Sequence, residues 1–314
     1  MNSAQATALL ALGRALHESG YRFVTVTPST HRRINARPGN QHARELRDVF
    51  GWSRPFAPGL IDAGMLALMR EAGVVETVAG TDGLLRATVR ASTLGQMTVF
   101  HSAYPTHDDD AVFFGPDTYR FVGAMTRAFA WVGAGLNRAV DIGCGSGAGA
   151  LAIARKFPHC EVVGADVNER ALELAQINAR LAGAANLQLR RSDLLDGVDG
   201  DFDVIVSNPP YVLDTDERRY RHGGGERGAG LSRRIVEQGL ARLRPGGSLM
   251  LYTGVAISGA NDHFLDSIRP LLEQNCITWN YDELDPDIFG GQLGEPGYEE
   301  VERIAAVWLH AVRR

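Results

Sequence analysis

From Ala139 to the end of the chain, short apolar runs alternate with amphipathic helical patterns, and this alternation limits the possible folds more than any other feature. Runs of this length are typical of strands, and the patterns between them are long enough for crossover helices. The alternation predicts a doubly wound α/β fold, in which helices cover both faces of a mostly parallel sheet. The predicted strands are 139–142, 162–165, 187–190, 204–206 and 249–252, and the predicted helices lie near 147–157, 168–182 and 230–243.

Two further apolar runs, 277–281 and 305–312, follow the fifth predicted strand. They predict two edge strands, which would complete a mostly parallel seven-stranded sheet. Trp308 and Leu309 interrupt strict alternation in the second run, and a strand without alternation is typically buried on both faces.

Residues 1–108 have a different pattern. Helical periodicity is present over 3–18, 41–50 and 58–73, and two strand-like runs, 84–92 and 96–102, follow. Helices closed by a short hairpin predict a small α+β domain resembling a winged helix. The acidic residues 108–110 mark the predicted boundary, which gives an N-terminal domain at 1–108 and a larger domain at 109–314.

The composition excludes several classes of protein. No run of 18 apolar residues occurs, so no membrane-spanning helix is predicted. Cys144, Cys160 and Cys276 are scattered without a C-x-x-C pair, which argues against a disulfide framework or a metal site and favours the cytoplasm. The net charge of −5 disfavours tight nucleic-acid binding through bulk charge, although residues 31–47 are locally basic.

A glycine-rich turn follows the first strand of the larger domain, in the order Asp141-Ile142-Gly143-Cys144-Gly145-Ser146-Gly147. Glycines let the backbone turn sharply and approach a ligand without a Cβ in the way. The helix that begins after the turn presents free N–H groups to that ligand. The segment therefore predicts a binding site for a nucleotide-like cofactor.

Polar residues at the next two strand ends support this prediction. Asp166 follows the second strand and can accept both hydroxyls of a ribose, while Ser192-Asp193-Leu194 follows the third strand and can reach an adenine amine. These features fit either NAD or S-adenosylmethionine (SAM). The pattern D-x-G-x-G-x-G differs from the G-x-G-x-x-G of NAD sites and places Asp141 before the first glycine, which favours SAM.

The fourth strand ends in Ser207-Asn208-Pro209-Pro210-Tyr211. Two prolines end a strand, but a plain turn would need neither the preceding Asn nor the following Tyr. The carboxamide oxygen of Asn208 and a proline-held carbonyl can each accept an N–H from a planar nitrogen, and the ring of Tyr211 can pack on the planar group. The loop therefore predicts catalysis by orientation, with Asn208, Pro209, Pro210 and Tyr211 as catalytic residues.

Taken together, these motifs resemble the class I SAM-dependent methyltransferases with an N-P-P-Y loop, a Rossmann-like fold, over roughly 110–314. The resemblance implies that Asp141, Gly143, Cys144 and Gly145 hold the methionine part of SAM, that Asp166 and Asn168 hold the ribose, and that Asp193 and Leu194 hold the adenine. It adds Phe114 and Thr118 from a loop before the sheet, Gly147, Val167, Ser192 and Asn208 to the cofactor site.

The closest local likeness is to the glutamine-amide methyltransferases and to proteins of the methyltransferase small domain group. Those glutamine enzymes usually have an acid at the position of Arg227 and a Glu at that of Tyr252, and they lack the N-terminal hairpin and the segment 283–300. The acceptor is therefore left open among a protein glutamine, a nucleobase and a small metabolite.

Other reactions remain open as well. The main alternative is a methyltransferase-like enzyme that cyclises SAM itself to azetidine-2-carboxylate and releases methylthioadenosine. Methylation of carbon or oxygen, and a SAM-binding module without catalysis, are further alternatives. The glycine-rich stretch 223–230 predicts a lid.

Overall fold

The computed structural model describes residues 1–106, 108–133, 135–213, 223–224 and 226–314. The helices of the described part are α1 (Ser3–Glu18), α2 (Pro28–Asn35), α3 (Leu46–Phe50), α4 (Ala63–Glu71), α5 (Pro116–Ala128), α6 (Ala148–Lys156), α7 (Glu169–Ala182), α8 (Gly230–Arg242) and α9 (His263–Asn275). The strands are β1 (Val75–Thr77), β2 (Leu85–Ala87), β3 (Val89–Leu94), β4 (Met97–Ser102), β5 (Arg138–Ile142), β6 (Glu161–Asp166), β7 (Leu187–Arg191), β8 (Phe202–Ser207), β9 (Leu243–Ser258), β10 (Asn261–Asp262), β11 (Cys276–Asp285) and β12 (Arg303–Arg313).

The large sheet has the strand order β11-β12-β9-β8-β5-β6-β7, and the short β10 pairs with the end of β9. Strands β5 to β9 run parallel, whereas β12 is antiparallel to β9 and β11 is antiparallel to β12. The predicted doubly wound α/β fold is confirmed, and seven strands form the continuous path. The strand order reverses direction between β5 and β8, which places their carboxyl ends at the switch point where such sheets bind ligands.

The C-terminal strands differ from the prediction in their position. Strand β12 is not an edge strand, because it lies between β9 and β11, and it is buried along most of its length, including Trp308. Only β11 forms the edge on this side. The sequence patterns also miss α9, whose first turn is capped by Asp262 accepting from the Leu265 N–H at 2.9 Å.

The N-terminal elements differ more from their predicted bounds. The helix predicted over 41–50 is confined to Leu46–Phe50, and α2 is an additional helix that Thr27 caps through the Thr30 N–H at 3.2 Å. Helix α4 begins at Ala63 because Asp62 accepts from the N–H groups of Gly64 and Met65. The hairpin formed by β3 and β4 is present, and β1 and β2 form a second one.

Apolar side chains form three clusters. Two of them cover the two faces of the large sheet, and the third joins the N-terminal elements to the inward face of α7. Asn178 of α7 is fully buried in this junction, where it accepts from the Phe100 N–H at 2.8 Å and donates to the Phe100 carbonyl at 2.9 Å. The Asn178 side chain thus hydrogen-bonds to both main-chain groups of Phe100, as a neighbouring strand would. These two bonds hold the N-terminal elements against α7, which packs on the large sheet.

No helix in the described part of the chain is both long enough and apolar enough to cross a bilayer.

Candidate active site

A cavity of about 770 Å³ lies at the carboxyl ends of the central parallel strands. Its floor is formed by the turns after β5, β6 and β8, and its walls come from 27–32 of the N-terminal region, the start of α5, and 287–295 between β11 and β12. This volume lies within the range of ordinary small-molecule sites. The cavity therefore brings together parts of the chain that are far apart in sequence.

The glycine-rich turn enters this cavity from β5. Gly143 and Gly145 have φ angles of +67° and +54°, and a Cβ added at either position would meet no other atom within 4 Å. The left-handed backbone favours glycine, and the open space lets a ligand approach this part of the backbone closely. Gly143, Cys144 and Gly145 line the cavity, and burial raises the pKa of the Cys144 thiol well above its usual value.

Asp141 lies at the end of β5 with only 2% of its surface exposed. Its Oδ2 accepts from the Ala150 N–H in the first turn of α6 at 2.8 Å, and the absence of a side chain at Gly149 makes room for this approach. Burial, followed by the charge of Asp166, raises the pKa of Asp141 to about 7. Its negative charge is thus poorly compensated, although the positive end of the helix dipole lies beside it.

Asp166 ends β6 and also binds backbone groups. Its Oδ2 accepts from the Gly145 N–H at 2.8 Å and its Oδ1 from the Asn168 N–H at 2.9 Å, so the carboxylate ties the glycine turn to the start of α7. Burial raises the pKa of Asp166 as well. Among the described residues, neither Asp141 nor Asp166 forms an ion pair with a cationic side chain.

The third strand end completes this side of the cavity. Ser192 and Leu194 are buried, and Leu194 has a left-handed φ of +47°. Asp193 is largely exposed, and its Oδ1 lies 3.6 Å from a terminal guanidinium nitrogen of Arg234 in α8. Val167, which is 40% exposed, and Asn168 line the cavity together with this turn.

The 208–211 loop enters the cavity from β8. Ser207 precedes it and donates to the Ile142 carbonyl at 2.7 Å, which joins the ends of β8 and β5. Asn208, Pro209, Pro210 and Tyr211 all line the cavity. Asn208 is half-buried, and its carboxamide has no hydrogen-bond partner among the residues that the structure describes. The carboxamide is therefore available to a bound molecule.

Two predicted cofactor residues lie outside the cavity lining. Phe114 is fully buried and stacks on His101, with ring centroids 5.0 Å apart. Gly147 begins α6 with a φ of +85°, and a Cβ there would lie 3.3 Å from the Cβ of Ala175, so it permits close packing of α6 and α7. Thr118 does line the cavity, and its hydroxyl accepts from the Gly115 N–H at 3.2 Å.

The structure also places four residues at the site that the motifs do not reveal. Asp117 and Arg120 of α5 line the cavity, and Tyr252 of β9 donates to Asp117 at 2.7 Å. Phe289 packs edge-on against Tyr211, with ring centroids 5.8 Å apart. For Asp117, the one sequence signal is its place directly after the Gly115-Pro116 helix start.

Comparison with known proteins agrees with this geometry. Residues 131–261 match the family described as methyltransferase small domain. This segment contains the glycine turn, Asp166, the 208–211 loop and Tyr252, all of which lie around the cavity or in contact with its lining. The segment is a class I SAM-dependent methyltransferase domain.

The methyltransferase domain is similar to curated glutamine methyltransferases. The chain is 32% identical over 165 residues to the release factor glutamine methyltransferase of Koribacter versatilis, covering 48% of this chain and 54% of the relative. It is also 32% identical over 155 residues to the ribosomal protein uL3 glutamine methyltransferase of Neisseria gonorrhoeae, covering 46% and 49%. The chain thus spans about half the length of the curated relatives that it matches.

A solved structure shows the same fold. The crystal structure of M. jannaschii TYW2 in complex with AdoMet superposes with a TM-score of 0.50 and 13% identity, and the alignment covers 76% of this chain and 90% of that one. This likeness concerns the architecture of the methyltransferase domain and extends over most of both chains.

The residues around the cavity fit SAM. Two acidic groups with raised pKa values and no cationic partner among the described residues favour a ligand of positive charge, and SAM carries a sulfonium and an ammonium group. The open space beside the backbone at Gly143 and Gly145 allows close approach. Asp141, Gly143 and Gly145 of the glycine turn, Asp166 and 192–194 all line this one cavity.

Part of the predicted lid, including Gly225, lies outside the described residues. In the described part, Gly223 and Gly228 pack closely on the backbone of Tyr211, where an added Cβ would lie within 2.8 Å of main-chain atoms. Arg227, which departs from the acid of the glutamine enzymes, donates to the Ser258 hydroxyl at 2.8 Å. These contacts place 223–228 directly against the 208–211 loop.

Proposed function

We propose that this chain transfers the methyl group of SAM to the planar nitrogen of an amide, and that the amide is a glutamine side chain of a protein. The observation that carries the proposal is the carboxamide of Asn208, which has no hydrogen-bond partner among the described residues and lines the same cavity as Asp141 and Asp166. Methyl donor and acceptor would therefore meet in one enclosed space. The similarity to release factor and ribosomal protein glutamine methyltransferases supports the choice of acceptor.

Bound SAM would supply an electrophilic methyl group on a positively charged sulfur. Asn208 Oδ1 and the carbonyl of Pro209 would each accept one N–H of the acceptor amide, which turns its nitrogen lone pair toward the donor. An amide nitrogen is a weak nucleophile, so orientation and preorganised electrostatics would make up most of the catalysis. Asn208 is well suited to this role because no other described group occupies its carboxamide.

The ring of Tyr211 would provide a flat surface for the acceptor amide. It is 8% exposed and confined on several sides, since Gly254 of β9 touches it closely and Phe289 meets it edge-on. A planar acceptor group can lie flat on the Tyr211 ring in this confined space, whereas a tetrahedral group cannot. This geometry favours an amide, or another planar nitrogen, over an aliphatic amine.

We also propose that residues 1–108 form a separate domain that shapes acceptor entry to the methyltransferase domain at 109–314. Thr27, Pro28, Ser29 and Arg32 line the cavity, and the side chain of Arg32 is exposed. The Asn178 contacts hold these elements against α7. The N-terminal domain would therefore contact the macromolecule that carries the glutamine.

Cyclisation of SAM receives no support from the relatives described above, which are named as methyltransferases. A nucleobase amine remains the second candidate acceptor, because its nitrogen is planar too. The orientation of an N–H donor by Asn208 would be the same for both acceptors. The experiment must therefore separate them.

The test is methyl transfer from isotope-labelled SAM to a matched set of acceptors. Bacterial release factor and ribosomal protein uL3 serve as protein substrates, each with the methylated glutamine replaced by glutamate as a control, and total RNA serves as the nucleobase substrate. We expect label on a glutamine side chain, located by peptide mass spectrometry, and none on the glutamate variants.

Each other outcome contradicts a defined part of the proposal. Label on RNA alone would make the acceptor a nucleobase and refute the glutamine assignment. Methylthioadenosine produced from SAM without an acceptor would refute methyl transfer itself. Turnover unchanged by Asn208→Ala would refute the role of the loop.

A further inference from the structure

A polar cluster adjoins the 208–211 loop, and we name it the Asp117 cluster: Asp117, Arg120, Tyr211, Tyr252 and Asp285. Asp117 is 4% exposed and lies in the first turn of α5. Tyr252 is fully buried and donates its hydroxyl to Asp117 Oδ1 at 2.7 Å. Arg120 donates to the same oxygen at 3.0 Å, and through its other terminal nitrogen to Asp285 Oδ2 at 2.8 Å.

The Tyr211 hydroxyl belongs to this cluster as well. Burial raises its pKa well above the usual value, and the negative charge of Asp117 adds to that effect. The same two causes act on Tyr252. Both phenols therefore stay protonated over the whole physiological range and can act as hydrogen-bond donors. The ring of Tyr211 lies against Gly254 of β9, two residues beyond Tyr252, which places it beside the cluster.

The cluster connects three separate parts of the chain. Asp117 and Tyr252 are 135 residues apart in sequence, and Arg120 and Asp285 are 165 apart. Asp285 ends β11 and directly precedes the segment that carries Phe289 against the ring of Tyr211. Asp117 thus links the start of α5 to the middle of β9, and Arg120 links the start of α5 to the end of β11.

We propose, on the basis of the function proposed above, that Asp117 and Tyr252 are positioning residues that fix the orientation of the Tyr211 ring for the acceptor. The Tyr211 hydroxyl serves as an anchor on Asp117 and does not bind the acceptor, which contacts the ring face. Arg120 offsets the charge of Asp117 and, through Asp285, holds the segment with Phe289 in place over the ring.

This assignment explains why a tyrosine stands at position 252. A carboxylate at this position would face Asp117 at short range, and two like charges in a buried site repel each other strongly. A phenol instead donates a hydrogen bond to Asp117. Asp117 therefore requires a hydrogen-bond donor at position 252, and Tyr252 requires an acceptor at position 117.

The test compares Tyr252→Phe and Asp117→Asn with a matched control, Tyr281→Phe. Tyr281 also donates to a carboxylate, Asp262 Oδ2 at 2.6 Å, but lies on β11 outside the cavity lining. The control loses the same kind of hydrogen bond without touching the site. It therefore measures the structural cost alone.

Two readouts are independent of each other. The first, made without an acceptor, is the NMR order parameter of the axis of the Tyr211 ring, which we expect to fall in Tyr252→Phe and Asp117→Asn but not in Tyr281→Phe. The second is turnover with whichever acceptor the wild type methylates. There we expect kcat to fall about tenfold, the size of one hydrogen bond to a charged group, with unchanged affinity for SAM.

A double variant sharpens the result. If Tyr211→Phe and Tyr252→Phe act through the same carboxylate, their effects on kcat should be strongly non-additive. An unchanged order parameter of the Tyr211 ring axis in both cluster variants would overturn the proposal. So would an equal loss of kcat in Tyr281→Phe. Failure of the proposed function is distinct, because it would show as a wild type that does not methylate glutamine, while the order-parameter comparison would still give its answer.

Discussion

On the cofactor side of the cavity, Asp141 and Asp166 accept hydrogen bonds from backbone N–H groups, whereas on the acceptor side Asp117 accepts from the side chains of Tyr252 and Arg120. The first pair is left with negative charge that a cationic ligand can satisfy. Asp117 is already satisfied by the protein. The difference fits the proposed function, in which the cofactor side binds the positively charged SAM and the acceptor side holds a rigid surface for a neutral amide.

The largest effect that would test this comparison is expected at Asn208. Asn208→Ala removes the carboxamide that we propose orients the acceptor, so kcat should fall on the order of a hundredfold to a thousandfold, as for other preorganised electrostatic contacts. The affinity for SAM, measured by calorimetry, should stay nearly unchanged. Asn280→Ala, an exposed Asn on β11, is the control.

A carboxylate at position 208 tests whether the side-chain oxygen is the group that orients the acceptor. Asn208→Asp keeps an acceptor oxygen, so with a neutral amide substrate it should retain more activity than Asn208→Ala. If the two variants were equally inactive, orientation by the oxygen would not be what the loop contributes.

Asp166→Ala is expected to have the next largest effect, on the cofactor side. It removes a charged acceptor for the ribose and also the bonds to the Gly145 and Asn168 N–H groups. Hydrogen bonds to charged groups contribute about 1.5–3 kcal/mol, so the affinity for SAM should fall at least about tenfold. Calorimetric titration gives the dissociation constant directly. An affinity equal to that of the wild type would refute the assignment of this carboxylate.

The two sides also differ in how far the sequence predicts them. The cofactor side is local: Asp141 and Asp166 lie at the ends of β5 and β6, and Ser192 follows β7. Parallel strands bring their carboxyl ends to one edge of the sheet, so the sequence alone predicts that these three residues lie close together, and all three line the cavity. The acceptor side beyond 208–211 depends on contacts between residues 135 and 165 apart. No local pattern gives the register of β9 against α5, so Tyr252 and Asp117 could not be paired from sequence.

The N-terminal region shows the same limit. Helix α1 matches its predicted bounds because its apolar face is periodic, and Asn2 caps it through the Gln5 N–H at 2.9 Å. The helix α2 has a single buried residue, His31, so apolar periodicity could not find it. Yet α2 brings Arg32 and Ser29 to the cavity wall. Its start was signalled only by the Thr27-Pro28 pair, a capping residue followed by proline.

The next prediction concerns the pH dependence of SAM binding, which should depend on Asp141 of the cofactor side. The pKa of Asp141 is raised from 3.8 to about 7 in the folded protein. At any pH between these two values, the carboxyl group therefore takes up a proton when the chain folds. A cationic ligand prefers the ionised form, so affinity should fall as the pH drops below 7, by about tenfold between pH 8 and pH 6.

The raised pKa of Asp141 has the opposite effect on the stability of the ligand-free protein: stability rises as the pH falls, whereas SAM affinity falls. The cost of burying the charge is complete above pH 7 and disappears as the pH falls toward 4, so ligand-free protein should gain stability from this group on acidification. Asp141→Asn should bind SAM more weakly but with little dependence on pH, and its thermal stability relative to the wild type should be highest near pH 8. If the variant kept the full pH dependence, another group, such as Asp166, would be responsible.

The smallest effect is expected at Phe289, where the acceptor side meets the segment between β11 and β12. Phe289 is 36% exposed, and its ring meets that of Tyr211 edge-on. An aromatic pair of this kind contributes about 0.5–1.5 kcal/mol, so Phe289→Ala should raise KM for the acceptor by roughly twofold to tenfold. Affinity for SAM should not change, because the cofactor side makes its contacts through β5, β6 and β7. Trp131→Ala, which removes an aromatic ring that is 83% exposed and outside the cavity lining, is the matched control and should leave both constants as they are. An effect of Phe289→Ala on SAM affinity of the same size as that on KM would show that the two sides are not separate, and that the segment closes over donor and acceptor together.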